Sequence, residues 1–455
     1  MSKRRLLLIL RLWLIFVFAA KSMTTTLSGL WGARSSWRLR ALFVTLGAAV
    51  ALLTILVAPM HTAAEEVATS VSESGSTAVL AGVFTDGITI TQFYTVNLPI
   101  VVQPRPPFPP PLPPPLVFTG VAPIDFTAVY SNLQAQGLEL GFNKIGFHRG
   151  IGGIPGNDPE FQQMLEDLDA AGVPFFLKST DNAEPIAFAQ DLMRSSGISH
   201  TLVFRRASGP GGVDYNVPNY NLSPADAALA HWQLHMNGFP LELDPSLIWV
   251  ETINEVDKTR SEWLAEFALE TAQLAIADGF RWAAFGWATG EPEPEDWESP
   301  AMLEFLQFAG EHTDQVAIAL HEYSLNNDQV SLWYPYLLGR FQALFQVCDE
   351  HNIPRPTVLI TEWGWSPDSI PTIAEAMADI EWASWLYAAY PQVKGAAIWY
   401  LGGEFGGIAD QVRLLIGPVR DYSLTHYFGY TPGVGTVNPA LFTPIPPTRF
   451  PLEKR

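Results

Sequence analysis

The stretch Leu247-Ile248-Trp249-Val250-Glu251-Thr252-Ile253-Asn254-Glu255 decides the fold that the sequence predicts. An apolar, β-branched run ends there in an Asn-Glu pair, and a polar segment and a long helical pattern follow. A buried parallel strand that delivers polar groups at its carboxyl end has this form. The stretch Val358-Leu359-Ile360-Thr361-Glu362-Trp363-Gly364 repeats it further along the chain. Each stretch therefore predicts a strand with a carboxylate at its tip.

Strand and helix patterns alternate from about Leu138 onward, as they do in βα units. Helical spacing of apolar residues predicts helices over 158–171 and 259–278, whereas the Gly- and Pro-rich tail from Gly406 is predicted to be irregular. Eight strands with helices between them predict an α/β fold of the (β/α)₈ or TIM-barrel type. The predicted strands are 144–148, 174–178, 201–205, 247–253, 281–287, 316–321, 358–361 and 395–400.

Residues 1–64 have the features of an export segment. Apolar runs at 6–20 and 41–58 each follow basic residues, and small residues follow the second run. This pattern is typical of a secretory signal peptide, but 41–58 is also nearly long enough to anchor the chain in a membrane. Both interpretations stay open, and both predict that the bulk of the chain is secreted or extracytoplasmic.

The next segment, 65–120, is predicted to be a low-complexity linker, because Pro104 to Pro115 is dominated by proline and favours an extended polyproline II spacer. The catalytic barrel is then expected over 121–455. The chain has a formal net charge of −20 although its first 64 residues contain no Asp or Glu. So acidic a remainder disfavours nucleic acid as a partner. The single cysteine, Cys348, is interpreted as a core residue.

Polar and aromatic side chains cluster at the predicted carboxyl ends of the strands, where a barrel of this type carries its active site. Two of them are carboxylates at strands 4 and 7, on opposite sides of the barrel mouth. Hydrolysis of a glycosidic bond needs two such groups. The residues at the predicted mouth are Arg149, Lys178, Asp181, Arg205, Arg206, Asn254, Glu255, Trp287, His321, Tyr323, Glu362, Trp363, Trp399 and Tyr400.

Three of these motifs resemble a known group of enzymes. The run Glu251-Thr252-Ile253-Asn254-Glu255, the triplet His321-Glu322-Tyr323 and the run Thr361-Glu362-Trp363-Gly364 are similar to motifs of the retaining (β/α)₈ glycoside hydrolases called clan A, best known from the cellulase and mannanase family. The likeness covers roughly 138–427. The chain departs from that family in having Val256 where the strand-4 motif has proline, so the resemblance is to the clan.

The resemblance implies a role for each matching residue. Glu255 would be the acid/base and Glu362 the nucleophile, and Tyr323 would hydrogen-bond Glu362 and keep it ionised. Asn254 would contact the sugar 2-hydroxyl and Trp399 would stack on the sugar ring. The other expected substrate-binding residues are His321, Arg149, Trp287 and Trp363.

Other interpretations of the same residues remain open. Glu255 and Glu362 would form structural ion pairs with Arg149 or Arg205, His321 would be a core histidine, and Asn254 would cap the segment that follows it. The tryptophans would be packing at the rim, and Glu251 a structural residue within its strand. His231 and His235 are interpreted as surface residues of a helix, since no Glu stands where a zinc-protease helix needs one. No metal or cofactor is predicted.

The sequence leaves two main functions open. The first is a retaining glycosidase that cleaves a β-linked polysaccharide or oligosaccharide, and the second is an inactive barrel that binds carbohydrate at the cell surface. A barrel amidohydrolase would need several His and Asp metal ligands at strand ends, and these are missing from the sequence. The presence of both carboxylates favours the enzyme.

Overall fold

The computed structural model describes residues 115–151, 158–209, 213–403 and 405–432. The predicted signal or anchor at 1–64 and most of the predicted linker lie outside these residues. Leu116–Thr119, at the end of the predicted linker, form a strand, β1. This strand pairs with the last strand, β11 (His426–Tyr430), which also pairs with β2 (Glu139–Gly141). The folded domain therefore includes four residues that the sequence assigned to the linker.

Eight parallel strands form a closed barrel, as predicted. They begin and end within three residues of the predicted bounds, because each is a short apolar run that is buried on both faces. Around the barrel the strands follow one another in chain order, and the last of them lies beside the first, which closes the ring. The strands are β3 (Ile145–Arg149), β4 (Phe176–Thr180), β5 (Thr201–Arg205), β6 (Ile248–Glu251), β7 (Arg281–Trp287), β8 (Val316–Tyr323), β9 (Thr357–Gly364) and β10 (Val393–Leu401).

Helices connect the strands and surround the barrel. The two predicted helices are present, and the side chain of Asp158 caps one of them by accepting from the backbone N–H groups of Glu160 and Phe161. The tail from Gly406, predicted to be irregular, instead contains two helices within its described residues, which end at 432. The helices are α1 (Phe126–Gln134), α2 (Pro159–Ala170), α3 (Glu184–Ser196), α4 (Pro224–Met236), α5 (Ser261–Ala277), α6 (Pro300–Glu311), α7 (Phe341–Glu350), α8 (Ile373–Ala388), α9 (Ile408–Val412) and α10 (Ile416–Thr425). None of the helices in the described ranges is long and apolar enough to span a bilayer.

The interior of the barrel is built in layers. An apolar layer, which includes Phe176, Trp249 and Leu359, fills the half of the barrel nearer the amino ends of the strands. A polar layer lies above it, because strand residues two apart face the same side and Lys178 and Glu251 follow Phe176 and Trp249 at that spacing. The Lys178 ammonium lies 2.7 Å from Glu251 with both side chains fully buried. Loss of either side chain would leave an unpaired buried charge and strongly destabilise the fold. The pair forms the floor of the barrel mouth.

Cys348 and the histidines of α4 all lie in the protein interior. Cys348 is fully buried in α7, as predicted, and burial raises the pKa of its thiol to about 12. His231 and His235 are not surface residues: they are 5% and 3% exposed. They lie on the face of α4 that packs on the barrel, where their ring nitrogens bond the carbonyls of Thr252 and Tyr215.

Candidate active site

The carboxylate at the end of β6 is held by its backbone. Glu255 adopts a positive φ of 45°, and its N–H donates to the carbonyl of Gly286 at 2.7 Å. Gly286 lies in a bulge of β7 and has a φ of 54°. A Cβ at this position would lie 3.2 Å from the carbonyl oxygen of Ile253, so glycine lets the two strands approach closely. The Glu255 side chain, 53% exposed, is thus open to a ligand in the mouth.

The second carboxylate, Glu362, is buried near the end of β9. The Tyr323 hydroxyl donates to its Oε2 at 2.9 Å. Its Oε1 lies 3.5 Å from both Lys178 Nζ and Arg205 Nη1. Burial alone would raise the pKa of Glu362, but the neighbouring His321, Lys178 and Arg205 outweigh burial and hold it well below its ordinary value. Glu362 is therefore a buried, oriented carboxylate that stays ionised in weak acid.

His321 lies between the two carboxylates. Its Nδ1 is 3.2 Å from Oε1 of Glu255 and 3.5 Å from Oε2 of Glu362. One oxygen of each carboxylate and the ring nitrogen all lie within 4.8 Å of one another. The structure thus brings these three predicted residues together with Tyr323. The alternative of an ion pair holds only for Arg205 with Glu362, since no described contact joins Arg149 to either acid.

Asn254 and Trp399 flank this cluster. Asn254 is partly buried, and its Oδ1 has no hydrogen-bond partner among the described residues. It does not cap the following segment, whose cap is the side chain of Asp257. Trp399 is partly buried at the end of β10, stacks on Tyr400 and lies edge to face with the exposed ring of Phe405. The aromatic rings leave an apolar wall beside the polar cluster.

Three predicted substrate-binding residues are not at the mouth. Arg149 is fully buried, with its guanidinium 4.9 Å from the ring centroid of Phe161 in α2. Trp287 and Trp363 are also fully buried and pack on Trp297 and Trp365 between barrel and helices. These predictions were wrong because the three side chains point outward from their strands.

Three further residues belong to the cluster: Lys178 and Arg205, which were predicted at the mouth without a catalytic or substrate-binding role, and His148, which was not predicted there. Lys178 and Arg205 contact Glu362. The charges of these two residues also act on the nearby ring of His148. Burial and the charge of Lys178 hold the pKa of His148 well below its ordinary value, so this ring is neutral. Its Nδ1 has no hydrogen-bond partner in the described ranges. The alternation of strand residues would have found His148, which stands two residues after Gly146 on the inner face.

Glu255, His321 and Glu362 could in principle hold a metal ion, since a ligand atom of each lies within 4.8 Å of the others. The surrounding charges oppose this. Lys178 and Arg205 already lie 3.5 Å from Glu362, and a dication bound to this carboxylate would be repelled by both. The arrangement suits a carboxylate that acts without a metal.

No protein-family model matches the chain, and no curated relative matches it. Among solved structures, it is similar to XacCel5A in complex with cellopentaose, at 10% identity over 62% of this chain and 99% of that chain, with a TM-score of 0.34. It is also similar to Cel5A (EG2) from Hypocrea jecorina (Trichoderma reesei), at 13% identity over 57% and 89% with a TM-score of 0.32. The catalytic domain of a chitinase from Pyrococcus furiosus matches at 10% identity over 62% and 99%, with a TM-score of 0.32. Likeness of this degree concerns the fold alone.

Proposed function

We propose that the chain is a retaining glycoside hydrolase that cleaves a β-linked polysaccharide or oligosaccharide. The observation that carries the proposal is the approach of Glu255 and Glu362, which have carboxyl oxygens within 4.8 Å of each other. A retaining enzyme needs about 5–5.5 Å between its two carboxyl groups, whereas an inverting enzyme needs about 6.5–9.5 Å to admit a water molecule. The spacing supports attack by a carboxylate on the sugar itself.

In the proposed first step, Glu362 attacks the anomeric carbon while the bond from that carbon to the leaving oxygen breaks. Glu255 gives its proton to the leaving oxygen, and a glycosyl ester of Glu362 remains. In the second step, Glu255 removes a proton from water, the water oxygen attacks the anomeric carbon, and the Glu362 carboxylate is released. Two inversions give net retention. The exposure of Glu255 and the burial of Glu362 suit a proton-exchanging group and a nucleophile respectively.

The neighbours of the two acids have supporting roles in this mechanism. Tyr323 orients Glu362 through its hydroxyl, and Lys178 and Arg205 keep that carboxylate ionised. His321, in contact with both acids, fixes their relative position. Asn254, His148 and His321 present ring or amide atoms without partners among the described residues, and sugar hydroxyls would satisfy them. Trp399 and Phe405 offer faces for sugar C–H groups.

The charges of the site favour an uncharged glycan. The Lys178 ammonium is paired with Glu251 at 2.7 Å, and the Arg205 guanidinium faces Glu362. Neither cation is left over to bind a substrate carboxylate or sulfate. The export pattern of residues 1–64 adds to the proposal that the enzyme acts outside the cytoplasm, secreted or anchored.

The stereochemistry of the product tests the proposed function. We expect the protein to hydrolyse an aryl β-glycoside with the β-anomer released first, as followed by proton NMR before mutarotation. Dialysis against EDTA should leave the rate unchanged, because no step uses a metal. Release of the α-anomer first would exclude the double displacement. Tight binding of glycans without any turnover would favour the alternative, an inactive carbohydrate-binding barrel.

A second test uses the charge that surrounds Glu362. The Arg205→Met variant removes a cation 3.5 Å from Oε1, so the pKa of Glu362 rises. Since the nucleophile must be ionised, the acid limb of kcat/KM should move to higher pH, while Glu362 remains ionised at pH 6 and the rate there should change little. The pH–rate profile of the variant is the measurement.

The matched control for this test is Arg194→Gln. It removes an arginine of α3 that pairs with Asp191 and Asp244, and its acid limb should coincide with that of the wild type. An acid limb that stays in place in Arg205→Met would contradict the assignment of that limb to Glu362.

A further inference from the structure

A cavity of about 700 Å³ lies at the amino ends of the barrel strands, opposite the candidate active site. Its position follows from the sequence, because Lys144 directly precedes β3, Arg281 begins β7 and Lys394 is the second residue of β10. The amino ends of parallel strands meet at one end of a barrel. Three cations of a chain with a net charge of −20 therefore line one cavity.

None of these three cations forms an ion pair with a carboxylate of the described residues. Lys144 donates to the carbonyls of Tyr387 and Tyr390 at 2.9 and 2.8 Å, which uses two of its three N–H bonds. Lys394 donates to the carbonyl of Pro391. The Arg281 guanidinium lies 5.9 Å from the ring centroid of Trp249. The charge in the cavity thus lacks a counterion from the described part of the protein.

Two other basic groups that line the cavity each have a carboxylate partner, and one further lining residue is itself an acid. Arg355 is held by two hydrogen bonds from its guanidinium to the carboxylate of Asp349, and His200 lies 2.9 Å from Asp169. Asp314 is an exposed acid on the rim and pairs with none of the three cations. Burial, and to a smaller extent the charge of Lys394, lower the pKa of Lys144 to about 7. A bound anion would offset this cost of keeping Lys144 charged.

The cations are distributed on two sides of an apolar floor. Lys144 directly precedes β3 and Lys394 lies on the neighbouring β10, where the carbonyl of Lys144 accepts from the backbone N–H of Ala396. Arg281 lies on β7, which is four strands from β3 and hence across the barrel. Phe176 and Trp249, which belong to the apolar layer of the barrel interior, line the cavity between them. The two sides together suit a ligand with an apolar middle and negative ends.

We propose that this cavity binds a small organic anion through Lys144, Lys394 and Arg281, with its apolar body against Trp249 and Phe176. The anionic group is a carboxylate or a phosphate. The site is independent of the proposed glycosidase chemistry, which occurs at the other end of the barrel.

Calorimetric titration with a matched series of benzene derivatives tests the proposal. We expect terephthalate to bind more tightly than benzoate, and benzyl alcohol not to bind measurably, because only charge differs greatly along the series. Phenyl phosphate in parallel decides between carboxylate and phosphate as the preferred group. Equal binding of the neutral and charged probes, or binding of none of them, would overturn the proposal.

Variants of exposed or half-buried residues locate the binding without disturbing the fold. Arg281→Gln and Lys394→Gln should each weaken terephthalate about tenfold, and Asp314→Asn, which removes the opposing charge on the rim, should tighten it. Arg194→Gln, a matched loss of charge on α3, should have no effect. Glycoside hydrolysis should be unchanged in all four variants, so a failure here is distinct from a failure of the proposed function. Unchanged affinity in both Arg281→Gln and Lys394→Gln would overturn the assignment.

Discussion

Glu362→Ala is expected to lower kcat for aryl β-glycosides by a factor on the order of 10⁴ or more. In the proposed mechanism this carboxylate forms the covalent bond to the sugar, and no other described acid is placed to replace it. Glu251 is engaged by Lys178 below the mouth, and Glu255 is needed as the proton donor. The measurement is steady-state hydrolysis of an activated aryl glycoside.

Added azide should restore part of the activity of Glu362→Ala. The truncation leaves space where the carboxylate oxygens were, and a small anion held there beside Lys178 and Arg205 would attack the anomeric carbon directly. One displacement instead of two gives a glycosyl azide of inverted configuration. Glu293→Ala, which removes an exposed carboxylate that pairs with Lys258, serves as the control and should keep full activity. Equal turnover by Glu362→Ala and wild type would disprove the nucleophile assignment.

The barrel could be predicted from the sequence because each strand can be recognised from its own residue pattern. Runs such as 201–205 and 281–287 are apolar, β-branched or aromatic, and bounded by polar or helical segments. Burial on both faces makes this pattern independent of register. The same physics predicts that Glu255 and Glu362 lie at a polar barrel mouth, since an acid at the end of such an apolar run is costly to bury without polar partners.

The direction of individual side chains could not be predicted in the same way. In β9, Thr361 donates to Glu251 inside the barrel, so strict alternation would turn Glu362 outward and Trp363 inward. The pairing with β8 shifts register between Leu320 and His321, and His321 then stands opposite Glu362. A bulge of this kind moves every later side chain to the other face. Because the shift depends on the neighbouring strand, Trp363 was wrongly predicted to face the substrate.

The electrostatic surroundings of Glu362 could not be predicted from the sequence either. Lys178 and Arg205 were recognised at strand ends, but contacts across the barrel join residues that are far apart in the chain, such as Lys178 and Glu362, which are separated by 184 positions. A sequence pattern gives the end of the strand at which a residue lies, and the partner follows only from the closure and stagger of the barrel.

Glu255→Ala is expected to have an effect that depends on the leaving group. Loss of the proton donor should slow cleavage of an oligosaccharide by about 10³-fold or more, since general acid catalysis contributes typically about 10²–10⁴-fold. A 2,4-dinitrophenyl glycoside needs no protonation to leave, so its first step should remain fast. The second step lacks its base, and the glycosyl ester of Glu362 should accumulate, visible as a burst of phenolate and as added mass on the intact protein.

Azide distinguishes the two acids by stereochemistry. In Glu255→Ala, azide needs no general base and attacks the glycosyl ester of Glu362, so the second inversion gives a glycosyl azide of retained configuration. The same reagent gives the inverted product with Glu362→Ala. The basic limb of the pH–rate profile should also disappear in Glu255→Ala, because that limb reports the loss of the donated proton. An inverted azide from Glu255→Ala, or a uniform loss of rate for good and poor leaving groups alike, would contradict the role of Glu255 as acid/base and leave its contact with His321 as a structural one.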